Sequence, residues 1–130
     1  MRGDIRKVNV TGSIQTGTAG WFEMIEINGQ DVRNGGTALV PEGDQIILKV
    51  DGNLGPGWDA GDKGCFAAWT SEGVKDNDTF QGTGPDYLPG LEPKLSLGRM
   101  PARNVEIDLR LFGNTDRFEG WNWDAFPNPF

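Results

Sequence analysis

Hydrophobic and polar residues alternate with period two through "NVEIDLRLF", where Val105, Ile107, Leu109 and Leu111 interleave with Glu106, Asp108 and Arg110. That period puts successive side chains on opposite faces of a strand, so the segment predicts a strand with one wet face. "DQIILKV" repeats the pattern, with Ile46, Leu48 and Val50 on one side and Ile47 and Lys49 on the other. Turn signals bracket it, "VPEGD" before and "DGNLGPG" after. "WFEMIEING" reads as a strand through Ile25 and Ile27, closed by an Asn28-Gly29 turn. "CFAAWT" is apolar on both sides, as suits a strand at the centre of a sheet. "DIRKVNVTG" and "KLSLG" predict further strands, and "GGTALVP" an edge piece.

No window sustains helical periodicity over the ten or so residues a helix needs. About seven short strands between Gly, Pro, Asn and Asp turns predict an all-β chain, an antiparallel β-sandwich. A closed barrel is the other arrangement the pattern allows. Two long loops interrupt it, Gly52 to Gly64 and roughly Glu72 to Pro93. The second is longer than ordinary connections, so it carries function or hides a short strand at Thr79-Phe80.

Three pieces, "INGQDVRNGGTALVPEGDQIILKV", "CFAAWTSEG" and "LSLGRMPARNVEIDLRLFGN", together resemble immunoglobulin-like β-sandwich modules of virion structural proteins and of prokaryotic surface proteins. The resemblance implies a turn at Pro41–Asp44 leading into an inner strand, a core tryptophan at Trp69, and a turn at Met100 that opens the last long strand. The paired cysteines of antibody-type domains are missing. Such modules bind or build more often than they catalyse, so the resemblance implies a structural or interaction role.

Composition narrows the chemistry. There are 12 basic and 19 acidic residues, a net charge of −7, which disfavours nucleic acid and anionic membrane surfaces as partners. There is no histidine, which excludes Ser-His-Asp and Cys-His mechanisms and a His-ligated zinc site. The single cysteine, Cys65, can form no intrachain disulfide and lies in an apolar run, where a buried thiol packs like a small hydrophobe. The chain is therefore expected to be no enzyme and to need no cofactor. "MRGDIRKVNV" is too polar for a signal peptide, and no apolar run approaches membrane-spanning length, so a virion or cytoplasmic location is expected.

Some candidate sites remain. Asp51, Asn53, Asp59 and Asp62 fall at the first, third, ninth and twelfth positions of an EF-hand-like loop. The match breaks at the sixth position, which is Pro56 instead of glycine, and Asp62 is shorter than the usual bidentate glutamate. At most weak calcium binding is expected there, with Asp76 and Asp78 as further oxygens if the two loops meet. Trp58 and Tyr87, in Gly/Pro-rich loops, could stack on a sugar ring, and they make a carbohydrate-binding module the alternative function.

The end of the chain, "RFEGWNWDAFPNPF", is its most unusual stretch. Residues 1–116 read as the sandwich and 117–130 as an extended tail carrying Trp121, Trp123, Phe126 and Phe130, with Pro127 and Pro129 opposing regular helix. Such aromatic surface must be covered. Either the tail folds back over its own sandwich, or it docks on a copy of the chain or another assembly protein. The second is the favoured expectation, and it makes the chain a component of a virion or surface assembly.

Overall fold

A computed structural model describes residues 3–15, 20–53, 55, 63–81, 93–114 and 123–130. The described residues form nine strands and one 3-10 turn. In chain order they are β1 (Ile5–Ile14), β2 (Trp21–Ile27), β3 (Gln30–Asp31), β4 (Thr37–Pro41), β5 (Gln45–Asn53), β6 (Lys63–Thr70), β7 (Lys75–Gln81), β8 (Lys94–Arg99) and β9 (Val105–Asn114). The turn spans Trp123–Ala125. Five strands make one sheet in the order β4-β1-β9-β6-β7, and four make the other in the order β3-β2-β5-β8. The all-β, two-sheet expectation holds, and the two separate strand orders are those of a sandwich, not a single closed barrel.

Three finer expectations are corrected. Nine strands replace about seven, because β3 and β7 were not anticipated as whole strands. The long loop did hide a strand, since β7 contains Thr79-Phe80. The sheets are not wholly antiparallel, because β1 runs parallel to β9, Val8 beside Val105 through Ile14 beside Leu111. "CFAAWT", as β6, is not central but second from an edge, between β9 and β7.

The core lies between the sheets, and the alternation places it. Val105, Ile107, Leu109 and Leu111 of β9 are buried there with Phe66 and Ala68 of β6, and they face Ile46, Leu48 and Val50 of β5. Burying a side chain of this size stabilises the fold by about 1.5–3 kcal/mol. Space is tight where β1 crosses the core. A Cβ on Gly12 would stand 2.9 Å from the ring of Phe22 and 3.3 Å from Ile25.

Turn chemistry sets the register. Asn28 and Gly29 have φ of 49° and 82°, the left-handed pair of a two-residue hairpin between β2 and β3. Asp44 N donates to Pro41 O at 3.1 Å, and Gly43 takes φ 87° at the third position of that turn. The same turn meets the one that opens β9. Gly43 N donates to Met100 O at 2.9 Å, and Met100 N to Asp44 O at 2.7 Å.

Side chains occupy the sheet edges. The Gln30 carboxamide donates to Leu39 O and accepts from Leu39 N, both at 2.8 Å, as a neighbouring strand would. At the opposite end of the sandwich, Ser96 N of β8 donates to the Asp76 carboxylate of β7 at 3.0 Å. Polar groups at sheet edges oppose edge-to-edge pairing.

Candidate functional site

The outward face of the five-stranded sheet carries the site. Register pairs Trp69 of β6 with Lys75 of β7 and Asp108 of β9, Ala67 with Asn77 and Arg110, and Cys65 with Thr79 and Phe112. Residues two apart share a face, so these nine positions form three rows on the side away from the inter-sheet core. Cys65, Ala67 and Trp69 are nevertheless at most 1% exposed. A strand near a sheet edge reaches that burial on its outward side only if something lies over it.

The C-terminal tail lies there. The 3-10 turn at Trp123–Ala125 continues into the bond from Phe126 N to Trp123 O, 3.1 Å. Three residues per turn bring side chains i and i+3 into line, so Trp123 and Phe126 point the same way. Pro127 follows and cannot extend the turn. The Trp123 ring meets Trp69 edge-to-face, centroids 5.4 Å apart at 84°, and Phe126 meets Phe112 at 4.9 Å and 59°. Such pairs add about 0.5–1.5 kcal/mol beyond the area they bury.

Two cations complete the arrangement. Lys75 Nζ lies 5.0 Å from the centre of the Trp123 ring, and the Arg110 guanidinium lies 4.6 Å from that of Trp69. Asp108 holds Arg110 through two 3.2 Å contacts. A cation over an indole face contributes about 0.5–1 kcal/mol where exposed and up to ~2 kcal/mol where water is excluded. The geometry grips two aromatic rings three residues apart.

The expected site residues divide accordingly. Trp123 and Phe126 come together, half-buried, on the chain's own sheet. Phe130 stays 54% exposed, with its N–H donated to the Asn128 side chain at 2.9 Å. Trp121 lies outside the described residues, as do Trp58, Tyr87, Asp59 and Asp62. Asp51 and Asn53 are on β5, and each spends a side-chain oxygen on a nearby backbone N–H, Gly52 at 2.8 Å and Gly55 at 2.7 Å. Among the described residues no three His, Cys, Asp or Glu side chains are grouped to hold a metal. Trp69 is buried as expected, but under the tail and not in the cluster between the sheets. Burial pushes the Cys65 thiol up to about 12, so it is a packed thiol and a poor thiolate.

Sequence reasoning missed the seat itself. Phe112 carried a signal, an apolar residue on the face where β9 otherwise shows Glu106, Asp108 and Arg110. Lys75 and Arg110 carried none, since a charge on a wet face is the default.

Asp76 and Asp78 do not meet the Asp51 loop in a metal cluster among the described residues. They lie opposite Ala68 and Phe66 on β7 and reach β8. Asp76 accepts from Ser96 N, and Asp78 from Lys94 N and Thr79 N. Burial raises the Asp78 carboxyl above its ordinary value, with the Asp76 charge adding to it and the two N–H donors opposing. The folded chain thus holds this proton to higher pH than the unfolded chain. The stability tied to it is full below the ordinary carboxylate range and is lost as pH rises through the raised folded value. Thermal melts should show the parent gaining stability relative to Asp78→Asn as pH falls from neutrality towards that range. Parallel pH profiles for the two proteins would refute the raised carboxyl.

Comparison of the chain with protein families, with characterised proteins and with solved structures finds no match in any of the three.

Proposed function

We propose that the chain is a non-enzymatic structural or interaction module that enters an assembly through its C-terminal tail. The assembly proposed is a virion (capsid, decoration or tail) or a surface array, and the partners are copies of the chain or other assembly proteins. The likeness to immunoglobulin-like modules enters this proposal as a two-sheet architecture. Connectivity marks a difference, because β9 neighbours β1 and β6, while in the immunoglobulin order the last two strands sit side by side.

One observation carries the reading. The tail brings Trp123 and Phe126 onto a built aromatic seat and then ends on Phe130, which is 54% exposed. Large aromatic side chains presented on a positioned segment are the usual anchors of protein interfaces. Ile5, 58% exposed, and Leu39, 50% exposed, add apolar surface on neighbouring strands.

Sedimentation from micromolar to millimolar concentration tests it. The expected result is growth beyond the 14.2 kDa monomer, reduced by Phe130→Ser. A monomer at every concentration would overturn assembly by self-association.

A further inference from the structure

We infer that the outward face of β6, β7 and β9 is a receptor for a Trp-x-x-Phe segment, and that its second occupant is the tail of another copy, exchanged for the chain's own. This rests on the assembly reading above and names the partner and the place where it docks.

The receptor half is built into the sheet. Trp69 and Phe112 supply the ring contacts, Lys75 lies over the incoming indole, and Arg110 backs Trp69 from the same face. The ligand half is built into four residues. The bond from Phe126 N to Trp123 O sets both rings on one side, and it is internal to the segment. Because that bond lies within the segment, the same turn can form on the seat of another copy.

The partner follows from the chain's own composition. Any second copy carries the same segment and the same seat. The contacts made in exchange equal those made within one chain, so concentration sets the balance between them. The receptor face also has apolar surface left to cover. Alternation along β1 and β4 puts Ile5 and Leu39 on this outward side, and the register sets Lys7 beside Leu39 and Ile5 beside Pro41, making Ile5 and Leu39 diagonal neighbours. The charge of −7 on each copy opposes the approach, so salt that screens it should favour exchange.

Two measurements on full-length chains test this. In the first, a chain carrying both Trp123→Ala and Phe126→Ala is titrated with a peptide of residues 120–130. Saturable binding is expected. It should weaken by more than about tenfold when the peptide's own two rings are replaced by alanine. In the second, which does not depend on that variant folding, a Lys75→Cys chain and an Asp124→Cys chain are mixed and oxidised. A chain carrying both substitutions serves as the internal control. The expected result is a cross-linked heterodimer, in excess of either homodimer, that increases with concentration and with salt. The inference is overturned if the doubly substituted chain cross-links within itself while the mixture yields no excess heterodimer. Growth in sedimentation without that cross-link would leave the assembly reading standing and assign it to another surface. A chain that is monomeric throughout would remove both.

Discussion

Leu109→Asp is expected to unfold the domain or to destabilise it by about 4 kcal/mol or more. Leu109 is fully buried on β9, the central strand of the five-stranded sheet, beside Ala68 of β6 and Gly12 of β1. A carboxylate there would lose its water and face an apolar cluster. Protonation would relieve the charge but would still leave a polar group where a branched apolar side chain had packed. Three positions earlier, the outcome reverses. Glu106 is exposed on the opposite face, and its carboxylate accepts only a surface bond from Asn9 at 2.9 Å among its described side-chain contacts. Glu106→Lys should cost no more than about 1 kcal/mol. Urea melts of both variants at one pH provide the comparison. Equal losses would mean that the two faces of β9 are not distinct.

That contrast was legible because β9 is half-buried. Where one face packs and the other is wet, polarity along the chain records the pleat directly, as β5 also shows through Ile46, Leu48 and Val50. The pattern is silent on strand direction, so the parallel pairing of β1 with β9 could not be read from it. It fails for β7 for a different reason. Two of that strand's positions are Asp76 and Asp78, which bond the backbone of β8, so the strand lacks the apolar alternation that identifies the others. Inward-pointing charge is one way edge strands avoid pairing with strangers, and it erases the usual signal. For β6 the pattern was right about burial and incomplete about its cause. Both faces of "CFAAWT" are buried, one in the cluster between the sheets and the other, at Trp69, against Trp123 of the tail.

The candidate site was legible by halves. Trp123 and Phe126 stand out because four aromatics in ten residues need cover wherever they go. Their spacing of three also suits one turn of 3-10 helix, although Pro127 and Pro129 favoured an extended reading. The seat is made by residues distant in sequence, Trp69, Lys75, Arg110 and Phe112, which only the β7-β6-β9 register brings into adjacent rows. Of these, Trp69 and Phe112 depart from what a solvent-facing position would carry, and Lys75 and Arg110 do not.

Trp69→Ala is the second substitution expected to have a large effect, although Trp69 is not in the cluster between the sheets. Its ring is 1% exposed, edge-on to Trp123 and beneath the Arg110 guanidinium. Truncating a buried tryptophan costs about 3–5 kcal/mol through lost burial and the cavity left behind. Trp123→Ala removes a half-buried ring from the tail and should cost about 1–2 kcal/mol. If the two rings stabilise each other, the double variant should fall short of the summed losses by about 0.5–1.5 kcal/mol. Trp69→Ala will also leave Arg110 without its aromatic support, a loss that Trp123→Ala does not share, so only the coupling isolates the tail contact. Denaturant melts of the four proteins measure it, at a concentration low enough that copies do not meet. Losses that add to within about 0.3 kcal/mol would place the tail away from Trp69 in solution. The outward burial of β6 would then need another cover. A coupling that appears only as protein concentration rises would instead locate the Trp123–Trp69 contact between copies.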